Sequence, residues 1–151
     1  MLKSRSAIYF LQAKQMNNNF NELAVSLAAC GSEFYSRGWV LGTSGNFSAL
    51  LENTPLKLCI TASGNEKGNL DETHFLEVNE NAKVLSGIGK PSAETMIHLA
   101  IYNFLPNTKS ILHTHSVWGT ILSDVHAKNG FIEIEGYEML KGLSGVKTHE
   151  H

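Results

Sequence analysis

Phe47-Ser48-Ala49-Leu50-Leu51, then a turn at Asn53-Thr54-Pro55, then Leu56-Lys57-Leu58-Cys59-Ile60-Thr61, read together as a β-hairpin. The first run alternates, the link reads as a turn, and the second run reads as the returning strand. Upstream, Phe20, Leu23, Leu27, Cys30 and Phe34 recur at steps of three and four, the spacing of one buried helical stripe. That spacing predicts a helix from the Asn17-Asn18-Asn19 cluster, whose side chains would cap it, to about Tyr35, with Arg37-Gly38 closing it. Residues 1 to 16 read as a short helical or frayed arm.

Downstream, a short helical turn near residue 70 leads into a strand from Phe75 to Val78, a polar turn at Asn79-Glu80-Asn81 and a strand at Lys83 to Leu85. Pro91-Ser92-Ala93-Glu94 opens a helix, with Ser92 as N-cap and Glu94 in a first turn where the helix dipole favours a carboxylate. Met96, Ile97, Ala100, Ile101 and Phe104 read as its apolar face, His98 as a flank residue, and Pro106-Asn107 as its end. Ser110 to His115 reads as a buried strand running into a helix from Ser116, with Val117, Trp118, Ile121 and Leu122 as the inner face. Past Asn129-Gly130, Phe131-Ile132-Glu133-Ile134 reads as a strand and Gly136 to Leu143 as a short helix. Helices and short strands thus alternate irregularly around one hairpin, which predicts α/β layers on a mixed, largely antiparallel sheet.

At 151 residues the chain suits one domain, from residue 1 to 151, with a real core. A net charge of −2, from 12 basic and 14 acidic residues, predicts no broad attraction to nucleic acid or membrane, so an anionic substrate must be caught locally. Cys30 and Cys59 lie in apolar runs without CxxC spacing, as buried thiols do in a reducing compartment such as the cytoplasm. The apolar patch Ala7-Ile8-Tyr9-Phe10-Leu11 is too short for a signal segment, and no stretch approaches a membrane span.

Chemistry concentrates at His113-Thr114-His115. Side chains two apart on a strand share a face, about 7 Å between Cβ atoms, and two such imidazoles can ligate one metal ion, zinc first, or pair as hydrogen-bonded structural histidines. Two small-residue loops, Gly42-Thr43-Ser44-Gly45-Asn46 and Ser63-Gly64-Asn65, flank the hairpin. Each leaves backbone N–H groups open for an anion or forms a tight turn. Glu138 and Lys141 stand three apart, as a surface ion pair would. No Rossmann or Walker motif is present, which argues against nucleotide binding.

Gly42-Thr43-Ser44-Gly45-Asn46-Phe47-Ser48, Ile60-Thr61-Ala62-Ser63-Gly64, Pro91-Ser92-Ala93-Glu94 and His113-Thr114-His115-Ser116, in this order, resemble the class II aldolase/adducin family over roughly residues 20 to 148. Within it, Arg37-Gly38-Trp39-Val40 and Gly136-Tyr137-Glu138-Met139-Leu140-Lys141-Gly142-Leu143 are similar to its ketose-phosphate dehydratase members. The resemblance implies an α/β/α sandwich assembled as a homotetramer, with one Zn2+ per subunit held by His113, His115 and a third histidine. That third histidine is expected some tens of residues past His151, so the chain reads as lacking its C-terminal part; His149 and His151, which share the HxH spacing, could substitute for it, although the family does not use this stretch as a ligand. The implied substrate is a small phosphorylated ketose, its phosphate held by Gly45, Asn46, Ser63, Gly64 and Ser92. In the implied reaction a 2-keto sugar phosphate loses a proton at C3 and hydroxide at C4, with Glu138 as acid/base and Glu94 beside the metal. An aldolase or epimerase of the same family, in which Glu94 is the catalytic carboxylate, and an adducin-like interaction module without metal remain the alternatives.

Overall fold

The hairpin becomes the middle of a five-stranded sheet. In the computed structural model, which describes residues 5–142 and 145–147 with side chains from residue 19 onward, the chain divides into two compact units, Met1–Ser116 and Val117–His151. His149, His151, Leu143 and the first four residues of the N-terminal arm lie outside the described residues.

In the first unit, β1 (Asn46–Asn53) and β2 (Leu56–Thr61) pair antiparallel, with Ala49 opposite Cys59 and Leu50 opposite Leu58. β3 (Phe75–Asn79) adds to β2, β4 (Val84–Ser86) to β3, and β5 (Ser110–His113) to the free side of β1, giving the order β4-β3-β2-β1-β5. Among the described residues every pairing is antiparallel, so the sheet is antiparallel rather than mixed. The sandwich follows from the two-residue period of β1. Phe47 and Ala49 point into a core with Ala24 and Leu27 of α1 (Arg5–Ser36), while Leu50 turns to the opposite core with Leu58, Ile60, Leu76 and with Leu99 and Tyr102 of α2 (Thr95–Phe104). Each fully buried side chain of this size contributes about 1.5–3 kcal/mol, so β1 and β2 bind both helices to the sheet.

α1 runs unbroken from Arg5, so Asn17-Asn18-Asn19 lie inside the helix and do not cap it. Asparagine costs only some tenths of a kcal/mol in a helix, too little to start a new one when neighbours on both sides are helical. Its end is as expected: Gly38, at φ +72°, donates to Tyr35 O, Trp39 donates to Phe34 O, and the Phe34 and Trp39 rings meet at 5.3 Å. These are the paired bonds and apolar contact of a glycine-terminated helix.

Two other expectations change. β5 lies at a sheet edge and is half exposed, so the HxH stretch is not a buried strand, and the strand ends at His113. α2 turns Thr95, His98, Leu99 and Tyr102 inward, while Met96, Ile97 and Phe104 of the expected apolar face are exposed. The sheet beneath offers Asn46 and Ser48, polar groups that need polar partners once covered, and the rotation of α2 supplies them.

The second unit holds α3 (Val117–His126) and short 3-10 turns at Ala127–Asn129 and Glu138–Gly142. Val117, Trp118, Ile121 and Leu122 are exposed. Phe131 to Ile134 forms no strand, because among the described residues no partner strand lies beside it to take its backbone bonds.

Candidate functional site

Register and periodicity build the site. Asn46 and Ser48 share the face of β1 under α2, where His98 and Tyr102, one helical turn apart, also meet, and β5 sets His113 directly opposite Asn46. His98 is therefore no flank residue; it is 2% exposed, with Nδ1 2.7 Å from Ser48 Oγ and Nε2 3.0 Å from Asn46 Oδ1. Asn46 Oδ1 is also 2.9 Å from His113 Nδ1, and Ser48 Oγ is 3.1 Å from Tyr102 Oη. Burial first, and His113 second, push the His98 pKa down to about 4 against an opposing pull from Glu94, so the ring is neutral near pH 7. Burial likewise pushes the Tyr102 hydroxyl up to about 12.

His115 lies beyond β5, yet it reaches His113. Its backbone N–H donates to Trp39 O at 2.8 Å, so the segment that ends α1 fixes it, and the two imidazoles stand 4.6 Å apart at 40°. Glu94, at the start of α2, brings Oε2 to 3.3 Å from His113 Nδ1. Glu94 is the N-cap of α2, not a residue of its first turn, and Ser92 Oγ accepts from the Glu94 N–H at 3.3 Å without capping the helix proper. One nitrogen each from His113 and His115 and one Glu94 oxygen lie within 4.8 Å of one another. Around bonds of about 2.1 Å tetrahedral donors stand about 3.4 Å apart, so small side-chain movements would close this set on a divalent ion. Two neutral imidazoles and a carboxylate are a donor set suited to a catalytic metal that keeps an open position.

A cavity of about 180 Å³ lies beside the cluster, lined by all five expected anion-binding residues, Gly45, Asn46, Ser63, Gly64 and Ser92, together with Glu94 and His115. Gly45 is obligatory: at φ +72° a Cβ there would sit 2.6 Å from His113 O. Asn46 Nδ2 is buried and without a hydrogen-bond partner among the described residues, a donor that an anion in the cavity would satisfy.

Lys67 escaped the sequence reading. It also lines the cavity, is 1% exposed, and its Nζ donates to Thr43 O at 3.1 Å and Asn65 O at 2.7 Å, tying the two small-residue loops together. Burial lowers its pKa and the Glu94 carboxylate counters that. Its only sequence signal was its position three residues after Gly64, in a polar loop where a lysine normally reads as solvated. Glu138 belongs to the second unit, where its Oε1 accepts from Lys141 Nζ at 2.9 Å, the surface pair that the spacing predicts.

The family model described as Class II Aldolase and Adducin N-terminal domain matches residues 25–149. The chain belongs to that family. Among class II aldolase relatives, it is 43% identical to methylthioribulose-1-phosphate dehydratase of Alcanivorax borkumensis, over 86% of this chain and 60% of that one. It is 40% identical to the protein of the same name from Pseudoalteromonas translucida, over 89% of this chain and 61% of that one. The chain thus spans about three-fifths of the length of these curated relatives. The crystal structure of YgbL from Escherichia coli superposes with a TM-score of 0.63 at 38% identity, covering 69% of this chain and 49% of that one. The class II aldolase α/β fold expected from the motifs is the fold observed.

Proposed function

We propose that this chain is the greater part of a zinc-dependent lyase that dehydrates 5-methylthioribulose 1-phosphate to 2,3-diketo-5-methylthiopentyl 1-phosphate, a step of methionine salvage. The observation that supports the reading is one cavity lined by the two small-residue loops and by Glu94 and His115, two of the three members of the metal-type donor cluster. The names of the relatives supply the substrate.

The residues divide the work. Backbone N–H groups at Gly45 and Gly64, the hydroxyls of Ser63 and Ser92 and the spare N–H of Asn46 would hold the phosphate, with the Lys67 ammonium supplying the local positive charge that a chain of net charge −2 lacks overall. Glu94, His113 and His115 would hold the ion, whose chemistry is Lewis-acid stabilisation of negative charge on the substrate oxygens at C2 and C3. Loss of the C3 proton and of the C4 hydroxyl as water leaves an enol that becomes the diketone. Glu138 is the acid/base of this proposal through its match to the dehydratase motif, and a carboxylate serves best with a pKa tuned toward neutrality.

A homo-oligomer in the cytoplasm completes the proposal. Phe104 is 85% and Trp118 77% exposed, apolar surface of the kind another protein chain covers. Among the described residues no helix is long and apolar enough to cross a membrane.

Product analysis with zinc-loaded protein and methylthioribulose 1-phosphate tests the reaction. Dehydration keeps the carbon chain whole as a diketone. An aldolase would instead break C3–C4 and release dihydroxyacetone phosphate and a methylthio aldehyde, the result that overturns the proposal.

A further inference from the structure

The four hydrogen bonds from Tyr102 to His113 have a direction. An amide oxygen only accepts, so Asn46 Oδ1, at 3.0 Å from His98 Nε2 and 2.9 Å from His113 Nδ1, requires a proton on both nitrogens. With Nε2–H on a singly protonated His98, Nδ1 accepts from the Ser48 hydroxyl at 2.7 Å, and the Ser48 oxygen is left to accept from the Tyr102 hydroxyl at 3.1 Å. On the far side, His113 keeps its proton on Nδ1, and its lone pair sits on Nε2.

We infer that His98 is a positioning residue for the metal site: from beneath α2, by donating to Asn46 Oδ1, it holds the Asn46 amide in the one orientation that fixes His113 as the Nδ1–H tautomer and leaves Nε2 to ligate. Without the His98 donor, Asn46 is free to flip and present its NH2 to His113. The flipped amide would draw on the Nδ1 lone pair and pull the His113 proton toward Nε2, where it blocks the ligating atom, opposed only by Glu94 Oε2, 3.3 Å from the same Nδ1. The orientation has a second consequence. With Oδ1 engaged by both histidines, Nδ2 is the end left over, and it is the buried, unpartnered donor of the cavity residue Asn46. One buried imidazole thus sets the polarity of an amide that serves the metal side with its oxygen and the anion side with its nitrogen. Ser48 and Tyr102 act at one further remove, by keeping His98 Nδ1 an acceptor. Partners of metal ligands that fix a tautomer are commonly worth 10- to 100-fold in affinity.

This inference rests on the metal reading above, and the test separates the two. Two-bond 1H–15N correlation on metal-free protein labelled at histidine nitrogens reads the His113 tautomer directly. The wild type is expected to show Nδ1–H on His113, His98→Leu to show the Nε2–H form or a mixture, and His98→Gln, whose amide reaches the place of Nε2 and still donates, to restore the wild-type pattern. Zinc competition against a chelator should fall in step, with about 10- to 100-fold weaker binding for His98→Leu and recovery in His98→Gln. A wild-type His113 protonated at Nε2 overturns the inference without any variant, so a His98→Leu protein that fails to fold does not rescue it. So does an unchanged tautomer and zinc affinity in a folded His98→Leu. Wild-type protein with the Nδ1–H tautomer but no zinc affinity would instead contradict the metal reading alone.

Discussion

His98 sits where an imidazole can hardly be charged. Its pKa is pushed down to about 4, chiefly by burial, whereas in the unfolded chain it should lie near 6.5. The unfolded state therefore binds more protons between these values, so the stability this residue contributes is complete above pH 6.5 and is lost as pH falls toward 4, by up to about 3 kcal/mol. Urea titrations of the metal-free protein between pH 7 and 4 should show the wild type losing stability faster than His98→Gln, which has no such proton to take up. Parallel curves for the two proteins would mean that His98 is not held neutral.

Lys67 and His98 also mark the limit of what could be read at this scale. Gly45, Asn46, Ser63 and Gly64, which line the cavity, stand in loops whose small residues announce open backbone and close approach, whereas Ser92 came in through the family resemblance. A lysine in a polar loop and a histidine between two apolar helix positions announce solvent. Their burial depends on two loops closing over one ammonium and on α2 turning its polar side to the sheet, facts of tertiary packing that a local pattern does not carry.

At the scale of elements the hairpin, the glycine-terminated end of α1 and the succession of strands along the chain up to β4 were legible from periodicity and turn chemistry. The face of α2 was not, because two stripes compete on it. Met96, Ile97 and Phe104 are the more apolar, yet Leu99 and Tyr102 are the buried ones, carried inward by the pairing of His98 and Tyr102 with Asn46 and Ser48. Leu99→Ala should accordingly cost about 2–5 kcal/mol of unfolding free energy, read as a lower urea midpoint at unchanged slope. Ile97→Ala, on the exposed side, should stay near 0.5 kcal/mol or below in a monomer. Equal losses would restore the other face as the packing one.

The two loops make their own prediction. If they grip the phosphate, Ser63→Ala, Ser92→Ala and Lys67→Met should each raise KM for a phosphorylated ketose more than they lower kcat, the pattern of lost uniform binding. Lys67→Met should be the most severe, about tenfold or more, since a hydrogen bond to a charged group is worth about 1.5–3 kcal/mol. Equal losses in kcat and kcat/KM would place these side chains in the chemical step instead.

At the scale of the whole molecule the proposed reaction divides its work between two carboxylates. Glu94 is at the donor cluster, and Glu138 pairs with Lys141 in the second unit. With Glu138 as acid/base, Glu138→Gln should keep zinc and substrate affinity while turnover falls about 10²- to 10⁴-fold, whereas Glu94→Gln should lose metal as well. Near-normal diketone formation by Glu138→Gln would take the acid/base role from Glu138 and move it to Glu94. No local pattern in the sequence could make that division, because both residues have an adequate structural explanation, one at a helix start and the other in a surface ion pair.

The most direct test of the account is zinc content under chelator challenge. Wild-type protein should retain one equivalent per chain at a chelator concentration that strips the His113→Ala, His115→Ala double variant, with Glu94→Gln falling between. A double variant that keeps a full equivalent, or a wild type that takes up none, would contradict the assignment of Glu94, His113 and His115 as the metal centre.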